Sequence, residues 1–183
     1  VVAIPEDETL YTPSEPATVT ATTEAEPVVE PEPALIEATV SFTDATYRTV
    51  LTVDQQVWEQ NGIVVTNDKD KSSSNVADYF NPARFYKNSD VTIEFPGMTK
   101  IEIDCTGVDA KNKNAWVNSC SDANATATLN GSIVTIAFAT AVDSFKIQLT
   151  DNQARAMAMT VYAAAEESEP EVKDMFVQGT VDG

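Results

Sequence analysis

Apolar and polar residues alternate with a period of two through much of the middle of the chain. Val91, Ile93 and Phe95 are interleaved with Thr92 and Glu94, and Ile101, Ile103 and Cys105 with Glu102 and Asp104. Successive side chains of an extended strand point to opposite faces. Such segments therefore offer one apolar face to a core and one polar face to water. Enrichment in β-branched residues extends the pattern and predicts strands over 35–42, 49–53, 63–66, 91–95, 100–105, 126–129, 132–138, 144–149 and 156–162. Turn signals at Asn61-Gly62, Pro96-Gly97, Asn130-Gly131 and Asp151-Asn152 separate them, and Asn130-Gly131 is the strongest two-residue hairpin. No long segment has a helical period; Gln153–Met159 offers at most one turn. About nine short strands in this rhythm predict an all-β fold, a β-sandwich or jelly roll.

Two stretches interrupt the rhythm. Residues 67–90 make a long connection carrying Tyr79, Phe80, Phe85 and Tyr86, and aromatics of that number are expected to pack the loop onto the strands. Residues 107–124 read as a second irregular stretch, with Trp116 set among Lys111, Asn112, Lys113, Asn114 and Asn118.

Charge changes the picture at the ends. The formal net charge is −18 over 183 residues. Residues 1–37 contain Glu6, Asp7, Glu8, Glu15, Glu24, Glu26, Glu30, Glu32 and Glu37, no Lys or Arg, and many prolines. Residues 164–183 set Glu166, Glu167, Glu169, Glu171, Asp174 and Asp182 against Lys173 alone. Such low-complexity segments bury too little apolar surface to offset the entropy of ordering them, and like charges extend them. The organisation expected is a disordered acidic linker over 1–37, a β-sandwich module over 38–163 and an acidic C-terminal linker over 164–183. The acidic balance argues against nucleic acid as a partner, because neutralising phosphates needs a basic face. No apolar run is long enough to span a membrane. The first residues also lack a signal-peptide pattern, so an exported protein's signal would already have been removed.

The chemistry available is narrow. There is no histidine, which removes Ser-His-Asp and Cys-His nucleophile pairs and histidine metal sites. No glycine-rich phosphate loop is present. Paired carboxylates remain formally available, yet no local sequence singles out two. A non-catalytic role is the expectation, with no resident cofactor. Asp68 and Asp70, close together in Asn67-Asp68-Lys69-Asp70, are the one hint of calcium; Lys69 and Lys71 lower the local charge, and a solvated turn explains the same residues. Cys105 and Cys120 form either a disulfide across the Trp116 stretch or two reduced thiols, Cys105 being in phase with buried Ile101 and Ile103.

Candidate ligand contacts lie in the two interruptions. Trp116 with Lys113 and Asn114 suits a pyranose ring: the sugar's C–H face stacks on the indole while polar neighbours bond its hydroxyls. The same tryptophan could instead plug the end of the fold. Asp78, Tyr79, Phe80, Arg84 and Tyr86 form a second aromatic and polar set, Arg84 offering a fork of donors to a ligand or to loop carbonyls. Trp58 is read as a core anchor.

The phrases WEQNGIVVTNDK (58–69), NVADYFNPARFYKNSDVTIEFPGMTKIEI (75–103) and AMAMTVYA (156–163) resemble a repeated β-sandwich module of secreted modular surface proteins of gut Firmicutes. A looser version looks similar in gut Bacteroidetes proteins. The acidic, proline-rich linkers are similar to those of starch-adherence proteins in the amylosomes of ruminococci. That resemblance implies an extracellular or cell-surface setting, neighbouring modules in a larger protein, and a polysaccharide ligand, α-glucan first. No dockerin-like pair of calcium loops is visible. A structural or protein-adhesion module is the competing expectation.

Overall fold

The computed structural model describes residues 35–165. The two expected linkers thus lie outside the described residues, except that Leu35–Glu37 open the first strand and Ala164 closes the last. Ten strands and one α-helix follow in order: β1 (Leu35–Ser41), β2 (Arg48–Leu51), β3 (Gln55–Gln60), β4 (Ile63–Asp68), β5 (Ala83–Phe85), β6 (Asp90–Asp104), α1 (Ala110–Ser119), β7 (Ala125–Asn130), β8 (Ile133–Gln148), β9 (Ala154–Ala156) and β10 (Ala158–Ala164). The fold is mostly strand, as the alternation predicts.

Eight strands make one antiparallel sheet, and β5 with β9 makes a separate two-stranded one. Strand β6 is the axis. Along one edge it pairs with β8, beyond which lies β7. Its other edge is shared: Asp90–Glu94 pair with β4, and Met98–Asp104 with β10. Two ribbons therefore leave the same edge, β4-β3-β2 and β10-β1. They meet again, since Ser41 N–H donates to Gln60 Oε1 (2.8 Å) and Asn61 Nδ2 donates to the Thr39 carbonyl (2.9 Å). The sheet consequently curls around its apolar face.

Turn chemistry follows the sequence at one hairpin, shifts by a residue at a second and departs from it at a third position. Asn61 (φ 53°) and Gly62 (φ 82°) are both left-handed, as the type I′ turn between Gln60 and Ile63 requires. The second hairpin forms one residue further along than expected: Asn130 pairs with Ile133, so Gly131 (φ 61°) and Ser132 make the two-residue loop. Pro96-Gly97, however, does not reverse the chain. Gly97 (φ 66°) sits inside β6, its N–H held by Asp143 Oδ1 (2.9 Å), and the register shifts on both sides of Met98. Those bulges keep Val91, Ile93, Met98, Ile101 and Ile103 on the inner face although the spacing passes from odd to even and back. Two predicted strands thereby fuse into β6, and two more into β8.

The largest correction is α1. Residues 107–124, expected to be irregular, contain a ten-residue helix. Asp109 caps it, accepting the Asn112 N–H at Oδ1 (3.0 Å) and the Asn112 side-chain amide at Oδ2 (2.7 Å). Asn112, Ala115, Trp116 and Ser119 are buried at i, i+3, i+4 and i+7, the face of a helix. Gln153–Met159, offered as a single helical turn, instead contains β9 and the start of β10.

Four aromatics tie these elements together. Phe42 meets Trp58 edge to face at 5.3 Å and Phe85 at 5.7 Å, and Phe85 meets Trp116 at 5.1 Å. All four are fully buried. This chain runs from β3, through the residue after β1 and strand β5, to α1. Trp58 is thus the core anchor expected of it.

Candidate functional site

The long connection between β4 and β6 is clipped to the body at several points. Val76 N–H donates to the Val53 carbonyl (2.9 Å) and Asn81 N–H to the Phe42 carbonyl (2.9 Å). Within β5 the alternation Ala83-Arg84-Phe85 drives Ala83 and Phe85 into the core and leaves Arg84 outward. The expectation that aromatics pack this loop down therefore holds for Phe85. Tyr79 and Phe80 stay outside, 39% and 46% exposed.

Tyr79 is fixed from two sides. The Arg84 guanidinium lies 3.7 Å from the centre of the Tyr79 ring. Asp78 pairs with Arg48 Nη2 at 2.6 Å, and Arg48 itself stands over the Trp58 ring at 5.3 Å. The loop thus presents two adjacent aromatic rings and a cation on a support reaching into the core. Tyr86, half-buried just after β5, adjoins this set; its carbonyl accepts the Ser89 N–H (3.1 Å) and hydroxyl (2.7 Å).

Of the two roles open to Trp116, sugar platform or plug, the surface platform is ruled out. The indole is fully buried and its Nε1 donates to the Arg155 carbonyl at 3.0 Å. The physical reason is the helix, which turns Trp116 inward onto Phe85 while exposing Asn114 two residues earlier. Lys113 is occupied as a tether, its Nζ donating to the Gly131 carbonyl (3.0 Å). Of the eight expected ligand contacts, Tyr79 and Arg84 meet directly, Asp78 and Phe80 flank Tyr79 in the chain, and Tyr86 follows β5. Lys113, Asn114 and Trp116 belong to the helix.

Asp68 and Asp70 have turn-forming roles. Asp68 Oδ1 accepts the Asp70 N–H (3.0 Å), and Asp70 Oδ2 accepts Gln148 Nε2 (3.0 Å). Among the described residues no group of three or more acidic or thiol ligands converges anywhere.

The possible disulfide is also corrected: Cys105 and Cys120 are free thiols. Cys105 is fully buried, and its Sγ–H donates to the same Arg155 carbonyl at 3.4 Å. Burial pushes its thiol from 9.0 up to about 12, and Asp104 adds to the shift. A raised folded-state value means that stability is complete below about pH 9 and is lost as pH rises towards about 12, at up to about 1.4 kcal/mol per pH unit. Urea unfolding at pH 8 and pH 10 should show that loss in the wild type and a smaller one in Cys105→Ala. Equal losses in both proteins would assign the alkaline weakness elsewhere, for example to Tyr162, whose hydroxyl burial also raises.

Two residues of this region escaped the sequence reading. Arg48 looks like an ordinary strand-edge cation until Asp78 and Trp58 are seen around it. Arg155 repeats, in Ala154-Arg155-Ala156, the small-Arg-apolar alternation of Ala83-Arg84-Phe85, and that echo was the available signal. Comparison with protein-family models, curated proteins and solved structures finds no match.

Proposed function

We propose that this chain carries a non-catalytic carbohydrate-binding module of a secreted or cell-surface bacterial protein. In this reading the curled sheet serves as a β-sandwich scaffold, and the loop of Asp78–Arg84 holds a polysaccharide near the parent protein. The observation that carries it is the exposed Tyr79-Phe80 pair, in which Tyr79 is held by Arg84 and is preceded by Asp78, itself ion-paired with Arg48. Rigid exposed aromatics stack on the C–H faces of sugar rings with little entropy to lose, and nearby donors orient the hydroxyls. Weak affinity at one such site is multiplied when several modules share a chain. The modules it resembles make α-glucan the first polysaccharide to test.

A protein-adhesion role is the second reading, favoured by exposed Leu51 and Val53 on the hairpin to which the loop is clipped. Binding to insoluble starch and a panel of soluble glycans separates the two. The double variant Tyr79→Ala/Phe80→Ala should weaken glycan binding at least about tenfold, the loss expected from removing an anchoring aromatic. Its melting temperature should fall far less than on removal of a core aromatic, because both rings are partly exposed and lie outside the buried cluster. A wild type that binds no glycan hands the function to adhesion.

A further inference from the structure

Strands β5 and β9 place Arg84 directly opposite Arg155. Ala83, Phe85, Ala154 and Ala156 fill the inner face, so both arginines stand half-buried on the outer one. Side chains so placed begin about 5 Å apart, and like charges there repel. A carboxylate between them would remove the conflict, yet neither arginine has an ion-pair partner among the described residues. This occurs in a chain with a net charge of −18.

Both guanidiniums are nevertheless held in place. Arg84 lies on Tyr79, and Arg155 donates from Nε (3.3 Å) and Nη2 (3.1 Å) to Gln153 Oε1. A neutral amide and an aromatic face orient the two cations without neutralising them, and most of their N–H donors remain free. Neighbouring acids are already engaged. Asp78 is bound by Arg48, and Asp151 is bonded by Asn118 (2.9 Å) and Asn152 (3.1 Å) and sits in the field of Lys87 and Lys111.

We infer that the Arg84–Arg155 face receives a carboxylate or sulfate group on a sugar, and that the polysaccharide held by the aromatic loop is an acidic one. This inference rests on the glycan-binding reading and sharpens it, favouring a polyanionic glycan over neutral α-glucan. The guanidinium fork matches a planar carboxylate through two parallel hydrogen bonds, which neutral hydroxyls do not reproduce. Tyr79, exposed beside Arg84, would then carry the ring that bears the charge or its neighbour.

The test uses the full chain with polygalacturonate, its fully methyl-esterified form, chondroitin sulfate and soluble starch. The wild type should bind at least one of the two polyanions. Esterification of polygalacturonate, or salt raised to about 0.5 M, should weaken that binding about tenfold. Arg155→Gln should erase the preference for acid over ester without lowering the melting temperature, since the side chain bonds only Gln153 and opposes a like charge. Tyr79→Ala should lose binding to every form. Starch binding with no affinity for either polyanion overturns the inference and leaves the glycan-binding reading standing. An acidic preference that survives in Arg155→Gln overturns it as well. Binding to none of the four removes both.

Discussion

Trp116→Ala should cost about 3–5 kcal/mol of stability, as much as Trp58→Ala and far more than any change in the exposed loop. Both indoles are fully buried, and each ends the same chain of edge-to-face aromatics through Phe42 and Phe85. Removing Trp116 opens a cavity between α1 and β5 and leaves the Arg155 carbonyl with only the weak Cys105 thiol donor. The damage reaches the candidate site, because Phe85 follows Arg84 directly and rests on the lost ring. Urea unfolding of the two tryptophan variants checks the magnitude. A Trp116→Ala protein as stable as the wild type but unable to bind glycan would return the indole to the surface and overturn the core assignment.

That assignment shows where the chain is hard to read. Strands with strict alternation, such as Val91–Phe95 and Ile101–Cys105, declare themselves because one whole face is apolar. Helix α1 does not, since two of its four inward residues, Asn112 and Ser119, are polar. They are satisfied locally, Asn112 by Asp109 and Ser119 Oγ by the Thr150 N–H at 3.1 Å. Hydropathy therefore loses the face that geometry keeps. Strand β3 hides for a related reason: Gln55, Gln56, Glu59 and Gln60 surround Val57 and Trp58, and pairing with the legible strand β4 makes it extended. Pro96-Gly97 misleads in the opposite direction, because glycine with a positive φ serves a bulge as well as a turn.

The candidate loop was legible in part. Its aromatic content marks it as structured, and the Ala83-Arg84-Phe85 alternation separates the ring that goes in from the side chain that stays out. What no local pattern reveals is pairing over distance. Arg155 lies far along the chain from Arg84, and only the β5–β9 register makes them neighbours. The same holds for Arg48 and Asp78.

That second pair carries an asymmetric expectation. The Arg48 side chain is 9% exposed and Asp78 is 62% exposed, so the arginine has given up nearly all its hydration and the carboxylate little. Arg48 Nη1 also lacks an acceptor among the described residues, which leaves Asp78 as the only anion paired with the charge there, beside the weaker face of Trp58. Asp78→Asn should therefore strand a buried cation and cost about 2 kcal/mol, below the 3–5 typical of a fully buried pair because water reaches the Asp78 end. Arg48→Met removes the charge but keeps an unbranched chain packed on Trp58, and should cost less than about 1 kcal/mol, leaving only a solvated carboxylate behind. The ordering of the two variants, measured by chemical unfolding, is the informative result. Equal losses under about 0.5 kcal/mol would class the contact with ordinary surface ion pairs. Because Asp78 immediately precedes Tyr79, Asp78→Asn should also loosen the aromatic pair and weaken glycan binding at temperatures where the protein is still fully folded. Unchanged binding in that variant would mean that Arg84 alone holds Tyr79 in place.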